Sequence, residues 1–275
     1  MDDTIDRPTD LDEYLFDLRG FIVLRNAVTS SLIDDLNAVI EPALRQEPGT
    51  WYRNTHRTGG KLETELADVQ QVYELPPWDR LIAHPSWRGY VTRFVGNQDD
   101  FDAHHGPVYI DENFARSVPT GTGTPIHSGG HKRTKRTQYR YHNYDFHCGQ
   151  VNVLLALTDV GPGDGATMAV PGSHKQNLEP PFYDEVRGET LEDVPGAEEV
   201  HLDAGDALVF VDSLMHGSAT RTNPGTRRFA VFRYGPSWGV SRNGYTPSEE
   251  LLDRLDEEER AIVSTWGTVE RKIPE

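Results

Sequence analysis

The sequence predicts a mainly β fold, a sandwich or barrel, flanked by α-helices at its N-terminal end. In the second half of the chain, short apolar runs such as residues 151–157 end at turns rich in glycine and proline, such as residues 161–165. In the first half, apolar residues recur every three or four positions, which is the spacing of an amphipathic helix. Strands that follow one another between tight turns are typical of β-sandwiches and barrels.

The N-terminal segments predict a helix, a strand and two further helices, in that order. Residues 11–18 have a short helical pattern, and residues 20–24 form a strand-like apolar run. Ser30 or Ser31 can cap a second helix, and residues 78–95 form a third. The apolar stripe of the second helix consists of Leu32, Leu36, Ile40 and Leu44.

The rest of the chain supplies the predicted strands. Residues 99–125 are rich in Gly, Pro, Asp and Asn and are expected to be loop and short strands, and the acidic residues 176–200 are expected to form an exposed insertion. Residues 151–157, 167–170, 208–211 and 229–234 are the strand candidates. We therefore expect one domain over residues 1–275: N-terminal helical support over about 1–100, a core barrel over about 101–238, and a C-terminal helical tail over 239–275.

Composition excludes several functional classes. The formal net charge of −17 argues against a binder of nucleic-acid polymers, which would need a basic surface. No apolar stretch approaches the roughly 20 residues of a membrane span, and the first residues lack a signal-peptide pattern, so a cytoplasmic location is the default expectation. The single cysteine, Cys148, is interpreted as a packing residue, because it allows neither an intramolecular disulfide nor a cluster of thiolates around zinc.

One histidine and one arginine have a spacing that suits metal chemistry. Of the eleven histidines, His216 follows the strand at 208–211, and Arg227 comes eleven residues later at the start of the next strand. An imidazole can ligate iron, while a guanidinium further into a barrel can bind the distal carboxylate of 2-oxoglutarate through paired hydrogen bonds. The alternative is a surface histidine and an unrelated surface arginine.

Several short segments together resemble the phytanoyl-CoA dioxygenase family. They occur in the family's order over roughly residues 10–238: GFIVL at 20–24, ALTDV at 156–160, GDG at 163–165, PGSHK at 171–175, GD at 205–206 and HGS at 216–218. The resemblance implies a double-stranded β-helix (a jelly roll, or cupin-like fold), Fe(II), 2-oxoglutarate and O2. It further implies that His216 is the distal iron ligand, that Arg227 and Ser218 bind the 2-oxoglutarate, and that His174 is structural.

The other two ligands of the usual facial triad, a His-x-Asp or His-x-Glu pair, are less easily found. Only His201-Leu202-Asp203 has that pattern, and it follows the PGSH segment, whereas the family's order requires the pair to precede the strand at 151–157. His127 lies in the expected region, at the end of an apparent strand. His142 and His147 remain alternatives, although they leave little room for the loop that usually intervenes.

If His127 is the first ligand, Gly129 stands where the carboxylate is expected. This pattern resembles the Fe(II)/2-oxoglutarate halogenases, which carry His-x-Gly or His-x-Ala. A glycine removes one ligand and one negative charge, and a chloride ion can replace both. We therefore predict chlorination of an unactivated aliphatic C–H. The alternative is a hydroxylase, in which Asp145 swings in or a water occupies the chloride position.

A basic cluster follows Gly129 and Gly130. It consists of Lys132, Arg133, Lys135 and Arg136 and is followed by Arg140. Such a cluster suits a phosphate, and the combination resembles the nucleotide halogenases that chlorinate the 2′ carbon of 2′-deoxyadenosine monophosphate in nucleoside-antibiotic biosynthesis. A solvated loop, a carrier-tethered substrate and a non-catalytic binding jelly roll are the alternatives. Nearby aromatic residues could stack on a base or pack within strands: Tyr139, Tyr141, Tyr144 and Phe146.

Overall fold

The computed structural model describes residues 7–96, 108–134, 137–181, 194–236 and 245–264. The strands are β1 Phe21–Leu24, β2 Trp51–Tyr52, β3 Thr55–Gly59, β4 Ala67–Gln70, β5 Tyr109–Pro119, β6 Thr124–His127, β7 Tyr139–His142, β8 Asp145–Cys148, β9 Val151–Ala156, β10 Thr167–Ala169, β11 Glu198–Val200, β12 Ala207–Val211, β13 His216–Ser218 and β14 Thr226–Gly235. The α-helices are α1 Asp10–Arg19, α2 Ser30–Leu44, α3 Pro85–Val95, α4 Glu249–Arg254 and α5 Glu257–Val263. The predicted mainly β fold with flanking helices is confirmed.

The strands form a large sheet, a small sheet and a hairpin. The eight-stranded sheet has the order β1-β12-β9-β14-β5-β4-β3-β2, the four-stranded sheet has the order β11-β10-β13-β6, and β7 and β8 form the hairpin. Side chains meet between the two larger sheets: Arg227 on β14 reaches Thr167 on β10, and the ring of Phe210 on β12 contacts His216 on β13. The inner faces of the two sheets therefore enclose the space in which the predicted site residues lie.

Helices and central strands form the apolar core. Both β9 and β12 are buried along their whole length, as expected for strands covered on both faces. Helix α1 is capped at its N-terminus by Thr9, which forms a reciprocal capping box with Asp12, and at its C-terminus by Gly20. Gly20 has a φ of +83°, and a Cβ there would lie 2.5 Å from the His174 ring, so both the turn and the packing require glycine.

The expectation of loop and short strands over residues 99–125 is wrong for its central part. Tyr109–Pro119 forms the longest strand of the described chain, and residues 97–107 lie outside the described residues. This strand is buried on both faces, and it carries Asp111, Asn113 and Ser117 in buried positions. The polar residues hide the usual alternation of apolar and polar positions, so the pattern looks like a loop.

The expectation of helical support over about residues 1–100 also needs correction. Strands β1 to β4 lie in this part of the chain, and β2 to β4 extend the large sheet beyond β5. The predicted single helix over 78–95 is a 3₁₀ turn, Trp78–Leu81, followed by α3. Pro85 is the first residue of α3, where its missing N–H costs no hydrogen bond, and so the proline marks a new helix start.

The remaining segments are partly described. The predicted insertion over 176–200 contains β11 at the edge of the small sheet, and residues 182–193 lie outside the described residues. Within the segment for which a helical tail is predicted, the described residues 245–264 contain α4 and α5, and α5 packs on β5. Among the described residues, no helix is both long and apolar enough to cross a membrane.

Candidate iron and 2-oxoglutarate site

The pairing of β6 with β13 brings two predicted ligands together. The strands are antiparallel, and His127 lies directly opposite His216 in their register. The two ring centroids are 4.1 Å apart, with 57° between the ring planes. A cross-strand pair at this spacing can direct two imidazole nitrogens at one ion.

Hydrogen bonds fix the tautomer of both rings. His127 Nδ1 lies 2.9 Å from the carbonyl oxygen of Pro125, and His216 Nδ1 lies 2.6 Å from that of Leu214. A carbonyl only accepts, so each Nδ1 carries the proton and donates it, which leaves each Nε2 with its lone pair. Metal-ligating histidines are usually oriented by this kind of hydrogen bond, so the pair fits a divalent transition metal.

The electrostatic surroundings keep both imidazoles neutral. Burial lowers the pKa of His216 far below its ordinary value, and the neighbouring His127 lowers it further. His127 opens to solvent on one side, yet desolvation by the protein around it lowers its pKa as well. Both histidines are therefore in the metal-binding form at neutral pH.

No carboxylate joins the histidine pair within the described part of the chain, where no three His, Cys, Asp or Glu side chains could hold a metal together. Gly129 has a φ of +111°, and its N–H donates to the carbonyl of Ser213 at 3.0 Å. A Cβ on Gly129 would lie 2.6 Å from two ring atoms of His131. Glycine therefore has a conformational role here, because an aspartate would need a strained φ and a displaced His131.

Arg227 is a buried cation without a counter-ion among the described residues. Its side chain is 2% exposed, and it donates to the carbonyl of Gly165 and, over 2.9 Å, to the hydroxyl of Thr167. Its Nε has no hydrogen-bond partner in the described chain. Burial, together with the charge of Arg221, lowers its pKa to about 10. A guanidinium has five N–H donors, so this one has three left to bind a carboxylate in a forked geometry.

Strand pairing in the small sheet places Ser218 next to Thr167, the residue whose hydroxyl binds Arg227. Ser218 is opposite Thr167 in the pairing of β10 with β13. Its hydroxyl accepts a hydrogen bond of 2.8 Å from the backbone N–H of Thr124, so its own O–H proton can still be donated. The fold thus brings Ser218, Thr167 and Arg227 to one place, and these residues fit an anionic end of 2-oxoglutarate.

The other histidines considered from the sequence lie elsewhere. His142 and His147 are on the separate β7–β8 hairpin, and His201 is exposed and within 2.6 Å of a Glu199 oxygen. Asp203, the partner of His201 in the His-x-Asp pattern, has its backbone N–H bonded to Asp206. None of them lies on β6 or β13.

Two further side chains are also accounted for away from the histidine pair. His174 is buried and bonded to the carbonyl of Asp17, which agrees with a structural role. Asp145, the remote carboxylate considered for a hydroxylase, is paired with Arg93 at 2.7 Å.

One residue of the basic cluster, Arg133, lines an open cavity of about 580 Å³. Lys132 ends a short 3₁₀ turn next to Gly130, and Arg133 lines the cavity with Lys175, Tyr139 and Tyr141. Lys135 and Arg136 lie outside the described residues. Of the aromatic residues considered for stacking, Tyr144 is 96% exposed and Phe146 stacks on Phe16 in the core, so only Tyr139 and Tyr141 line the cavity.

Sequence reasoning missed a polar cluster on the inner face of the large sheet. Arg233 on β14 pairs with Glu112 on β5 and with Asp212, and Asn152 on β9 also bonds to Asp212. A signal for it exists, because counting by twos from Arg227 along β14 reaches Arg233 on the same face. The charges of Asp212 and Arg233 both act on the pKa values of the two histidines, so the cluster lies near the candidate metal site.

A jelly roll with neutral paired histidines and a buried, unpaired arginine has the features of an Fe(II)/2-oxoglutarate-dependent oxygenase. The model of the phytanoyl-CoA dioxygenase (PhyH) family matches residues 16–229, and the chain belongs to this family.

Similar proteins agree with this membership. Dioxygenase olcK of Penicillium canescens is 24% identical over 261 residues, which cover 92% of this chain and 76% of that protein. The peroxisomal phytanoyl-CoA dioxygenase of Rattus norvegicus is 25% identical over 245 residues, with 81% and 67% covered. HygX from Streptomyces hygroscopicus with iron bound has a TM-score of 0.67 at 20% identity, and the match covers 90% of this chain and 100% of that one. The chain is an iron- and 2-oxoglutarate-dependent enzyme of the dioxygenase type.

Proposed function

We propose that the protein is an Fe(II)/2-oxoglutarate-dependent halogenase that chlorinates an unactivated aliphatic C–H of a phosphorylated nucleoside, such as C2′ of 2′-deoxyadenosine monophosphate. The observation that carries the proposal is the histidine pair, which no carboxylate joins as a third metal ligand in the described chain. His127 and His216 would hold the iron, and Gly129 would leave the third protein position to chloride.

Each part of the site has one task in this proposal. Arg227 would bind the distal carboxylate of 2-oxoglutarate and thereby fix the cosubstrate next to the histidine pair, with Ser218 as a further donor. Bound iron, 2-oxoglutarate and O2 together supply the oxidising power that activates the C–H bond. The protein decides which substrate carbon lies near the halide, and positioning of this kind is the main contribution of a cofactor-dependent site.

The cavity beside the basic cluster supports a nucleotide as the substrate class. Its volume of about 580 Å³ is within the usual range of small-molecule sites, about 300–1,000 Å³. In the described chain, no acidic side chain pairs with Arg133, so this cation is available to a phosphate, while Tyr139 and Tyr141 offer aromatic surface to a base. The protein carries a net charge of −17, so most of its surface repels anions. A local basic cluster at a cavity would therefore attract an anion to that one place.

A hydroxylase of a small molecule is the second candidate. One observation favours it: the positive φ of Gly129 and the contact with His131 give glycine a reason to be there that has nothing to do with chloride. The similar proteins are also described as dioxygenases. In this alternative, water would take the position that the halogenase gives to chloride.

The deciding experiment is anaerobic reconstitution with Fe(II), 2-oxoglutarate and 2′-deoxyadenosine monophosphate, followed by O2 with and without chloride. A product with the isotope pair of one chlorine, formed only when chloride is present, is expected. A product that is hydroxylated at every chloride concentration supports the hydroxylase instead. Turnover of 2-oxoglutarate without product from this nucleotide would retain the enzyme class and reject the substrate.

The basic cluster is tested by substituting Lys132 and Arg133 with glutamine. We expect the KM for the monophosphate to rise about tenfold or more, since hydrogen bonds to charged groups contribute about 1.5–3 kcal/mol each. The KM for 2′-deoxyadenosine should stay unchanged. Arg140→Gln, which removes an exposed cation from nearby β7, is the matched control. Equal losses for both substrates would contradict phosphate capture.

A further inference from the structure

A carboxylate does lie close to the histidine pair, on the loop between β12 and β13. Asp212 directly follows β12, four residues before His216, and the residue is 5% exposed. The carbonyl of the next residue, Ser213, accepts the N–H of Gly129. The backbone that carries Asp212 is therefore hydrogen-bonded to the position at which a facial triad has its carboxylate.

Two side chains of the large sheet hold this carboxylate. Oδ1 of Asp212 is 3.0 Å from Nδ2 of Asn152 and 2.9 Å from Nη1 of Arg233. Arg233 is fixed in turn, because its Nε lies 2.9 Å from a carboxylate oxygen of Glu112. Buried pairs of this kind are costly to break, since removing one partner leaves an uncompensated charge.

The restraint acts within electrostatic range of the histidine pair. Asp212 raises the pKa values of both His127 and His216, and Arg233 lowers them. Asp212 precedes His216 by four residues and adjoins Ser213, whose carbonyl binds the N–H of Gly129, so its carboxylate could complete a facial triad if it were released. With Asn152 and Arg233 in place, no third ligand joins the two histidines within the described residues.

We propose that Arg233 and Asn152 are positioning residues that hold the Asp212 carboxylate away from the metal and so keep the third coordination position open. This inference rests on the proposed halogenase function, in which that position receives chloride. It identifies a second requirement for an open position besides Gly129: the Asp212 carboxylate must be bound to something else.

The test measures Co(II) affinity of the full-length protein without O2, so that it does not depend on catalysis. Arg233→Met combined with Glu112→Gln removes the charged part of the restraint, with Asn152 still in place, and does not leave Glu112 as a buried charge that has lost Arg233. We expect Co(II) to bind about tenfold or more tightly, the lower end of the change that outer-shell partners usually cause. The gain should disappear when Asp212→Asn is added. The cobalt absorption bands should change with the gain in affinity.

Asp212→Asn alone keeps the size of the side chain and should leave Co(II) affinity within about twofold, because a restrained Asp212 is not a ligand. A tenfold loss in this variant would overturn the proposal, since it would show that Asp212 already binds the metal. No gain in the variant with Arg233 and Glu112 replaced, or a gain that persists with Asp212→Asn, would also overturn it. If that variant does not fold, Asn152→Leu removes one restraint alone and should give a smaller gain through Asp212.

These outcomes are separate from the proposed function. The products of the wild-type protein decide between chlorination and hydroxylation, whereas metal affinity of the variants decides whether Asp212 is restrained. A wild-type protein that hydroxylates in chloride, with Co(II) affinities as expected, would reject the halogenase and retain the restraint. A wild-type protein that chlorinates, combined with no gain in Co(II) affinity in the variant with Arg233 and Glu112 replaced, would retain the halogenase and reject the restraint.

Discussion

Replacement of Arg227 by methionine tests the cosubstrate site most directly. The guanidinium is 2% exposed and is held by Gly165 and Thr167, with Nε left without a partner in the described chain. Loss of one partner from a buried, charged hydrogen-bonded pair costs about 2–5 kcal/mol. At about 3 kcal/mol, the Kd for 2-oxoglutarate should rise about 150-fold. Arg227→Lys keeps the charge but loses the forked geometry, so a rise of about tenfold is expected.

The Arg227→Met substitution should weaken 2-oxoglutarate binding without destabilising the metal-loaded protein that lacks 2-oxoglutarate. A buried cation without a counter-ion is unfavourable, so methionine at position 227 should leave the unfolding temperature unchanged or raise it. Addition of 2-oxoglutarate at 100 times the wild-type Kd should stabilise the wild-type protein by about 2.7 kcal/mol, and the Arg227→Met variant by about 0.3 kcal/mol. The two effects together distinguish lost binding from lost folding.

The assay is an anaerobic titration of the Fe(II)-loaded protein with 2-oxoglutarate, combined with thermal unfolding. Arg57→Met is the matched control: Arg57 is 1% exposed on β3 and donates to the carbonyl of Leu44. This control should lose stability and keep its 2-oxoglutarate affinity within about twofold, because its partners are all structural. A folded Arg227→Met protein with a Kd within threefold of the wild-type value would refute the assignment of Arg227.

Three other predictions concern histidines and the glycine. His127→Ala and His216→Ala should each weaken Co(II) binding by more than the roughly 10–100-fold that an outer-shell loss causes, whereas His201→Ala should not change it; equal affinities in all three would remove the pair from the metal site. Burial lowers the pKa of His174 to about 4, so its stabilising effect is complete above the unfolded value of 6.5 and is lost as pH falls toward 4. Between pH 7 and 5, the wild-type protein should lose about 2 kcal/mol more unfolding free energy than His174→Gln, as measured by denaturant titration, and parallel curves would contradict this cause. Gly129→Asp should abolish chlorination, with Gly129→Ala as the control that carries the same backbone strain without the carboxylate; continued chlorination by the aspartate variant would remove Gly129 from the site.

A strand could be predicted from the sequence when its residues are almost all apolar, but not when it also carries buried polar residues. Strands β9 and β12 are almost entirely apolar and are buried along their whole length, so their apolar runs are visible in the sequence. Strand β5 also supplies polar residues to the inner face, so its pattern resembled a loop. In a single sequence the residues that pack in the core and the polar residues of the inner face are mixed along one strand. Each residue can be assigned to a face only once the strand itself is known.

The candidate site was predictable where its residues are close in sequence. His216 and Arg227 were found by their spacing, because they lie eleven residues apart on β13 and β14, two strands that are consecutive in the chain. The position of His127 opposite His216 depends on the pairing of two strands far apart in the chain, which spacing alone does not encode. The partners of Asp212 come from two further strands, so nothing in the local sequence around Asp212 indicates that its charge is already engaged.

If the protein is a halogenase as proposed, its third metal position would depend on two carboxylates rather than one. Gly129 would replace the first of them, and this can be predicted from the sequence once His127 is chosen. Asp212 is the second, and only the fold shows that Asn152 and Arg233 hold it. A glycine in the His-x-Gly pattern would not by itself keep a coordination position open if another buried carboxylate could reach the metal. Sequence comparisons that consider the pattern alone would thus treat a restrained and an unrestrained aspartate alike, although only the first leaves room for a halide.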